Sequence, residues 1–163
     1  LRTSSPPKPA ASDGGVSNTK NDSTRPGGNR ENAVPFSFPI RVYWEDTDAG
    51  GVVYHASYVR FLERARTEWL RAQGVGQQAL RGSEDLVLVI RDMTLDFRKP
   101  ARLDDELQVS VAMTGRRSAS LLIAQEITRG GELLVAANVR VACLVASSFR
   151  PRPLPEWLAV ETP

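Results

Sequence analysis

From Phe36 to Trp44 apolar and polar residues roughly alternate, the period of a strand with one buried face. Pro39 lacks a backbone donor near the beginning of this run, which suits an opening strand better than a central one. The punctuation DTDAGG, residues 46–51, then breaks the alternation. Beyond it Tyr58, Phe61, Leu62, Ala65, Trp69 and Ala72 recur at spacings of three and four, while Arg60, Glu63, Arg64, Arg66, Glu68 and Arg71 take the other faces. This spacing predicts a helix over 57–73, stopped by Gly74, because glycine accepts the left-handed conformation that ends helices.

After a short segment of no clear pattern to about Asp85, the period changes to two. Val87, Val89, Met93, Leu95 and Phe97 fall on one face of the first run, and Leu107, Val109, Val111 and Met113 on one face of the second. Leu121, Ile123 and Ile127 follow, then Leu133, Val135, Val139, Val141 and Cys143. Residues 128–131 (TRGG) and 115–118 read as tight hairpins, so successive strands are expected to pair antiparallel. One strand, one helix and four strands make an α+β chain. Its economical fold is a curved five-stranded antiparallel sheet wrapped around one long central helix. A single helix leaves sheet edges open, so association into a homodimer or homotetramer is expected.

Composition divides the chain. Residues 1–34 are rich in Pro, Gly, Ser, Thr and Asn with almost nothing apolar, which predicts a disordered tail. The folded domain is expected over 35–158, with 159–163 a flexible C-terminus. The net charge of +2 resides in the tail, whose five basic and three acidic residues leave sixteen of each sign in the rest. With no basic face and no recognition motif, nucleic acid is not an expected partner. The single cysteine, Cys143, forbids an internal disulfide and agrees with a reducing compartment. No run approaches the ~18 apolar residues of a membrane span, and the N-terminal stretch lacks a secretory h-region. The cytoplasm is the expected address.

The junction before the predicted helix carries the candidate chemistry. The first helical turn has backbone N–H groups without intrahelical partners and a partial positive charge, where a carbonyl oxygen or developing oxyanion can bind. Gly50 and Gly51 allow a bend and close substrate approach. Asp48, a few residues upstream, can then face the bound carbonyl carbon as general base on water or as nucleophile. Asp, Thr, Gly and Ser are also turn and cap residues, so composition alone leaves a plain connection open.

The runs RVYWEDTDAGGVVYHASYVRFLERARTEWLR and RDMTLDFRKPARLDDEL resemble the hotdog-fold thioesterases of the 4-hydroxybenzoyl-CoA thioesterase class. They are most similar to the YbgC-type acyl-CoA thioesterases associated with the Tol-Pal cell-envelope system. The resemblance covers about residues 36–155, and its D-x-D-x-x-G-x-V-Y-H-x-x-Y pattern is matched without departure. It implies that Asp48 is the catalytic carboxylate and that the backbone N–H of His55 polarises the thioester carbonyl. It places Val53 and Tyr54 beside the reacting centre and Tyr58 one turn in, where packing also explains the tyrosine. It further implies a site between protomers. No cofactor or metal is expected.

For a CoA substrate, Arg98, Lys99 and Arg102 between two strands can meet the phosphates, as can Arg116 and Arg117 in a turn. The leading expectation is hydrolysis of acyl-CoA. A docking protein for acyl carrier protein or lipid-synthesis enzymes is the alternative from another class, and an enoyl-CoA hydratase is a third.

Overall fold

The computed structural model describes residues Phe36–Leu158, so the tail assigned to 1–34 and the stretch 159–163 lie outside the described residues. β1 (Phe36–Arg41) leads through one 3-10 turn (Trp44–Asp46) into α1 (His55–Ala72). A short α2 (Gln77–Ser83) follows, then β2 (Leu86–Phe97), β3 (Glu106–Arg117), β4 (Ser120–Arg129) and β5 (Glu132–Val145). The strands form one antiparallel sheet in the order β1-β3-β4-β5-β2.

α1 starts two residues earlier than the spacing predicts and ends one earlier. Its stop is the expected one. Gly74 has φ +78°, its N–H donates to Arg71 O at 2.9 Å, and the N–H of Val75 donates to Leu70 O at 3.0 Å. These two bonds satisfy carbonyls that the helix end would otherwise orphan. The buried stripe is Tyr58, Phe61, Leu62, Ala65 and Leu70; Ala72, expected on this face, is exposed. Phe61 and Leu62 are fully buried, each such side chain contributing about 1.5–3 kcal/mol. They pack against the sheet face that carries Leu107, Val109, Leu121, Ile127, Val135 and Cys143, which is the hotdog arrangement.

Three details differ from the expectation. β2 pairs with β5 rather than with β3, because the 98–105 link is no tight turn: it runs back to the segment just before α1, where Ala101 O accepts the Val53 N–H at 2.9 Å. In β2 the inward residues are Leu86 and Leu88, then Met93 and Leu95, not Val87 and Val89. A bulge between Ile90 and Asp92 inserts one residue and switches the phase. The turn between β3 and β4 sits at 118–119, and Gly115 instead follows a bulge after Met113, where an added Cβ would meet Leu122 Cδ1 at 3.2 Å. The other hairpin is as expected: Gly130 and Gly131, at φ +55° and +85°, supply the two positive φ values of a type I′ turn. No described helix is long and apolar enough to cross a membrane.

Candidate active site

The DTDAGG run folds as a tight loop locked to the start of α1. Asp46 is almost fully buried; its Oδ2 accepts the Tyr43 N–H at 2.9 Å and its backbone O accepts the Tyr54 N–H at 2.8 Å. Its work is structural, closing the 3-10 turn. Thr47 bridges Val53, Asp48 N–H donates to Val52 O at 3.0 Å, and Gly51 N–H donates to Asp48 O at 3.0 Å. Gly51 has φ +71°, which a side chain would strain, so glycine is needed there for the turn itself. The Asp48 carboxylate projects from this loop into solvent, with Oδ1 accepting the Gly50 N–H at 2.8 Å.

Helix α1 begins at His55 behind Tyr54, which offers no side-chain cap. Ser57 N–H returns to Tyr54 O at 2.8 Å, whereas the amides of His55 and Ala56 donate to no acceptor among the described residues. Two orphan donors therefore stand at the positive end of the helix dipole. The Tyr54 ring lies over that turn, 4.3 Å from the imidazole of His55.

A cavity of about 280 Å³ opens beside His55, lined by Val53, His55, Tyr58, Phe97, Arg98, Lys99 and Pro100. It gathers five of the residues singled out from the sequence; Asp48, Gly51 and Tyr54 do not line it in the single chain. Tyr58 is both core and wall. It is 3% exposed, and its Oη accepts the Ala101 N–H at 2.8 Å. Burial pushes the phenol pKa up against the lowering effect of that bond, so Tyr58 stays protonated and neutral.

Phe97 is the residue that sequence reasoning misses as a wall. It reads as the last inward position of β2, yet it is 52% exposed and sets its ring edge-on to Tyr58 at 5.6 Å. The available signal is its position directly ahead of the Arg98-Lys99-Pro100 segment.

The cations at the mouth are paired. Arg98 Nε donates to Asp96 at 2.9 Å, Lys99 pairs with Glu132, and Arg129 joins Glu132 at 2.9 Å to Asp105 at 2.7 Å. The Lys99 ammonium, then the Arg129 guanidinium, hold the Glu132 carboxyl below its ordinary range. Such exposed pairs contribute little, so an incoming phosphate can exchange with the carboxylates of Arg98 and Lys99. Arg116 serves elsewhere, donating to Leu154 O and Pro155 O at 3.0 and 3.2 Å.

The arrangement offers free amides for an oxyanion, an apolar wall of Val53, Tyr58 and Phe97, and cations at the rim. A protein-family model described as the thioesterase-like superfamily matches residues 42–161. The acyl-CoA thioester hydrolase YbgC of Escherichia coli O6:H1 is 48% identical over 131 residues, 80% of this chain and 97% of that protein. The acyl-CoA thioesterase YbgC of Haemophilus influenzae is 44% identical over 121 residues, 74% of this chain and 89% of that one. Among solved structures, a probable thioesterase from Bartonella henselae is similar with a TM-score of 0.72 at 38% identity, over 75% of this chain and 100% of that one. Fold, motif and relatives agree across the described domain, and the chain belongs to the thioesterase-like superfamily.

Proposed function

We propose that this chain hydrolyses acyl-CoA thioesters to the free acid and CoA. The observation that carries the reading is the uncapped start of α1, where the His55 and Ala56 amides lack acceptors among the described residues and His55 borders an open cavity. An acyl carbonyl oxygen accepting the His55 N–H gains most as it becomes an oxyanion, which is the differential binding that lowers a barrier. Asp48 then removes a proton from attacking water, or attacks the carbonyl carbon itself to give an anhydride that water cleaves. Either route expels CoA thiolate, which takes up a proton, and leaves the acid. The His55 ring helps orient the substrate. Val53, Tyr54 and Tyr58 surround the acyl group, Gly51 leaves room at the loop, and Arg98 and Lys99 meet the nucleotide phosphates.

Asp48 in one chain faces solvent, and a carboxylate acts best on a thioester when water is excluded. A second copy supplies that enclosure in this reading, as a homodimer or homotetramer joined along an open sheet edge. A cytoplasmic location accords with the buried free thiol of Cys143.

Release of free CoA thiol from a series of acyl-CoA esters, by wild type and Asp48→Asn, tests the proposal. Turnover by the variant is expected to fall by about 10²–10⁴-fold with the fold intact; equal rates would refute it. Running the acyl-carrier-protein thioester in parallel addresses the Tol-Pal-associated alternative. Preference for that carrier, or its stable capture without turnover, would favour docking of lipid-synthesis machinery over CoA ester hydrolysis.

A further inference from the structure

A second cavity lies between α1, α2 and the sheet, lined among others by Arg66, Thr67, Trp69, Gln77, Leu88 and Ile123. It shares no lining residue with the cavity at His55. On α1 Arg66 comes eleven residues after His55, about 16 Å along the helix at 1.5 Å per residue.

Arg66 is 93% buried, at 7% relative exposure, yet no ion pair forms at its guanidinium among the described residues. Nη1 donates to Gln125 Oε1 at 2.7 Å, while Nε and Nη2 donate to no acceptor among the described residues and are not fully closed off from solvent. Gln125 is itself buried and fixed, its Nε2 donating to Leu62 O at 3.2 Å and to Ser110 O at 3.4 Å, so its carbonyl is aimed at Arg66. Glu63, the one carboxylate on the lining, is exposed and accepts from Thr67 Oγ1 at 2.8 Å; Gln77 Nε2 donates to that same Oγ1 at 2.8 Å. The rim groups thus satisfy one another. Burial pushes the Arg66 guanidinium below its usual pKa, with Glu63 opposing the shift. Two donors of this guanidinium are thus left for a ligand, and a planar carboxylate accepting two parallel N–H bonds is the group that best matches them.

The remaining walls are apolar: Trp69, Leu70, Leu88, Ile90, Leu121, Ile123 and Val141. The cavity volume is about 100 Å³, against the ~10–15 Å³ that one water needs on the same measure, room for a molecule of a few heavy atoms. We propose that this cavity is a binding site for a short-chain carboxylate, held by Arg66 Nε and Nη2 with its few carbons against Trp69 and Leu88. The site does not depend on the thioester reading. The ligand is either an acid released by the chain's own reaction or an acid from another source, and both share this chemistry.

Titration calorimetry with butyrate at fixed ionic strength tests it, using wild type, Arg66→Met, Thr67→Phe and Asp48→Asn. Wild type and Asp48→Asn are expected to bind butyrate in a saturable way. Arg66→Met is expected to bind at least about tenfold more weakly, as is the neutral isostere butyramide on wild type. Thr67→Phe fills the cavity while leaving Arg66 in place, and is expected to abolish binding while a single cooperative melting transition is retained, which separates loss of the site from loss of the fold. No saturable binding by wild type, wild-type affinity retained in Arg66→Met or Thr67→Phe, or loss only in Asp48→Asn would each overturn the proposal. A butyrate inhibition of ester hydrolysis that disappears in Arg66→Met identifies the released acid as the ligand; binding without inhibition identifies an acid from another source.

Discussion

Tyr58 and Ala101 are joined by a 2.8 Å hydrogen bond from the Ala101 amide to the phenol oxygen, across forty-three residues of chain. The Ala101 carbonyl accepts the Val53 N–H at 2.9 Å, so one fully buried alanine ties the β2–β3 link to both the Asp48 loop and α1. Arg98, Lys99 and Pro100, which line the cavity, hang on that tie.

Tyr58→Phe removes the acceptor and leaves the Ala101 N–H unsatisfied in the core, a loss of about 1–3 kcal/mol. The thermal midpoint should fall by several degrees, at roughly 4 °C per kcal/mol for a domain of this size. Because the cation-bearing link loosens while the Asp48 loop keeps its other bonds, KM for acyl-CoA is expected to rise more than kcat falls. Steady-state kinetics beside a melting curve check both; a melting change with unaltered KM would show that Tyr58 is only packing.

Gly50 tests the loop itself. A Cβ built there comes 3.0 Å from Asp48 Oδ1, against the same oxygen that the Gly50 N–H holds at 2.8 Å. Gly50→Ala should therefore displace the carboxylate without touching the core, lowering kcat by tenfold or more, about 1.4 kcal/mol, while the melting temperature stays within a degree or two. Rates equal to wild type would show that the Asp48 rotamer in this loop does not matter to turnover.

Asp105 gives a pH dependence with a definite sign. Burial pushes its carboxyl up, but the Arg102 N–H and the Arg129 guanidinium, each at 2.7 Å, outweigh burial and hold it below the ordinary value. With the folded pKa depressed below an unfolded value of about 3.9, its stabilisation is present above that pH and is lost as pH falls through the folded pKa. Asp105→Asn should be less stable than wild type in urea at pH 7, and the two unfolding curves should converge as pH falls through the depressed folded pKa. A difference that persists unchanged into acid would assign the effect to packing.

The sequence carried the helix and most strand phases because both are periodic burial patterns. Phe61, Leu62 and Ala65 announce α1 by spacing, and Val109, Val111 and Ile127 announce their strands. What periodicity cannot carry is a slip in phase: Arg91 falls at the β2 bulge, so Val87 and Val89 look in register with Met93 and are not. α2 escaped for a different reason, since its seven residues bury only Leu80 and a single apolar anchor makes no pattern. At the site, the Asp48-to-His55 motif was readable as a string, but the cavity was not. Its walls meet only because the 98–101 link folds back under Tyr58, and pairings such as Lys99 with Glu132 join residues that no local spacing relates.

The two sheet edges differ in a way that bears on assembly. β1 has six residues with Pro39 among them, a short edge with one donor removed. β2 runs twelve residues without proline and pairs only with β5, leaving its other side open among the described strands. A long unprotected edge invites pairing with another strand, and a second copy is the abundant source of one. The same association would cover the exposed Asp48 loop if the protomers share a site. Analytical ultracentrifugation should accordingly find a dimer or tetramer at micromolar concentration. On dilution through the dissociation range, the rate of acyl-CoA hydrolysis per chain should fall in step with the oligomer fraction. A monomer at micromolar concentration would exclude the edge pairing, and constant activity per chain during dissociation would show that one protomer encloses its own substrate.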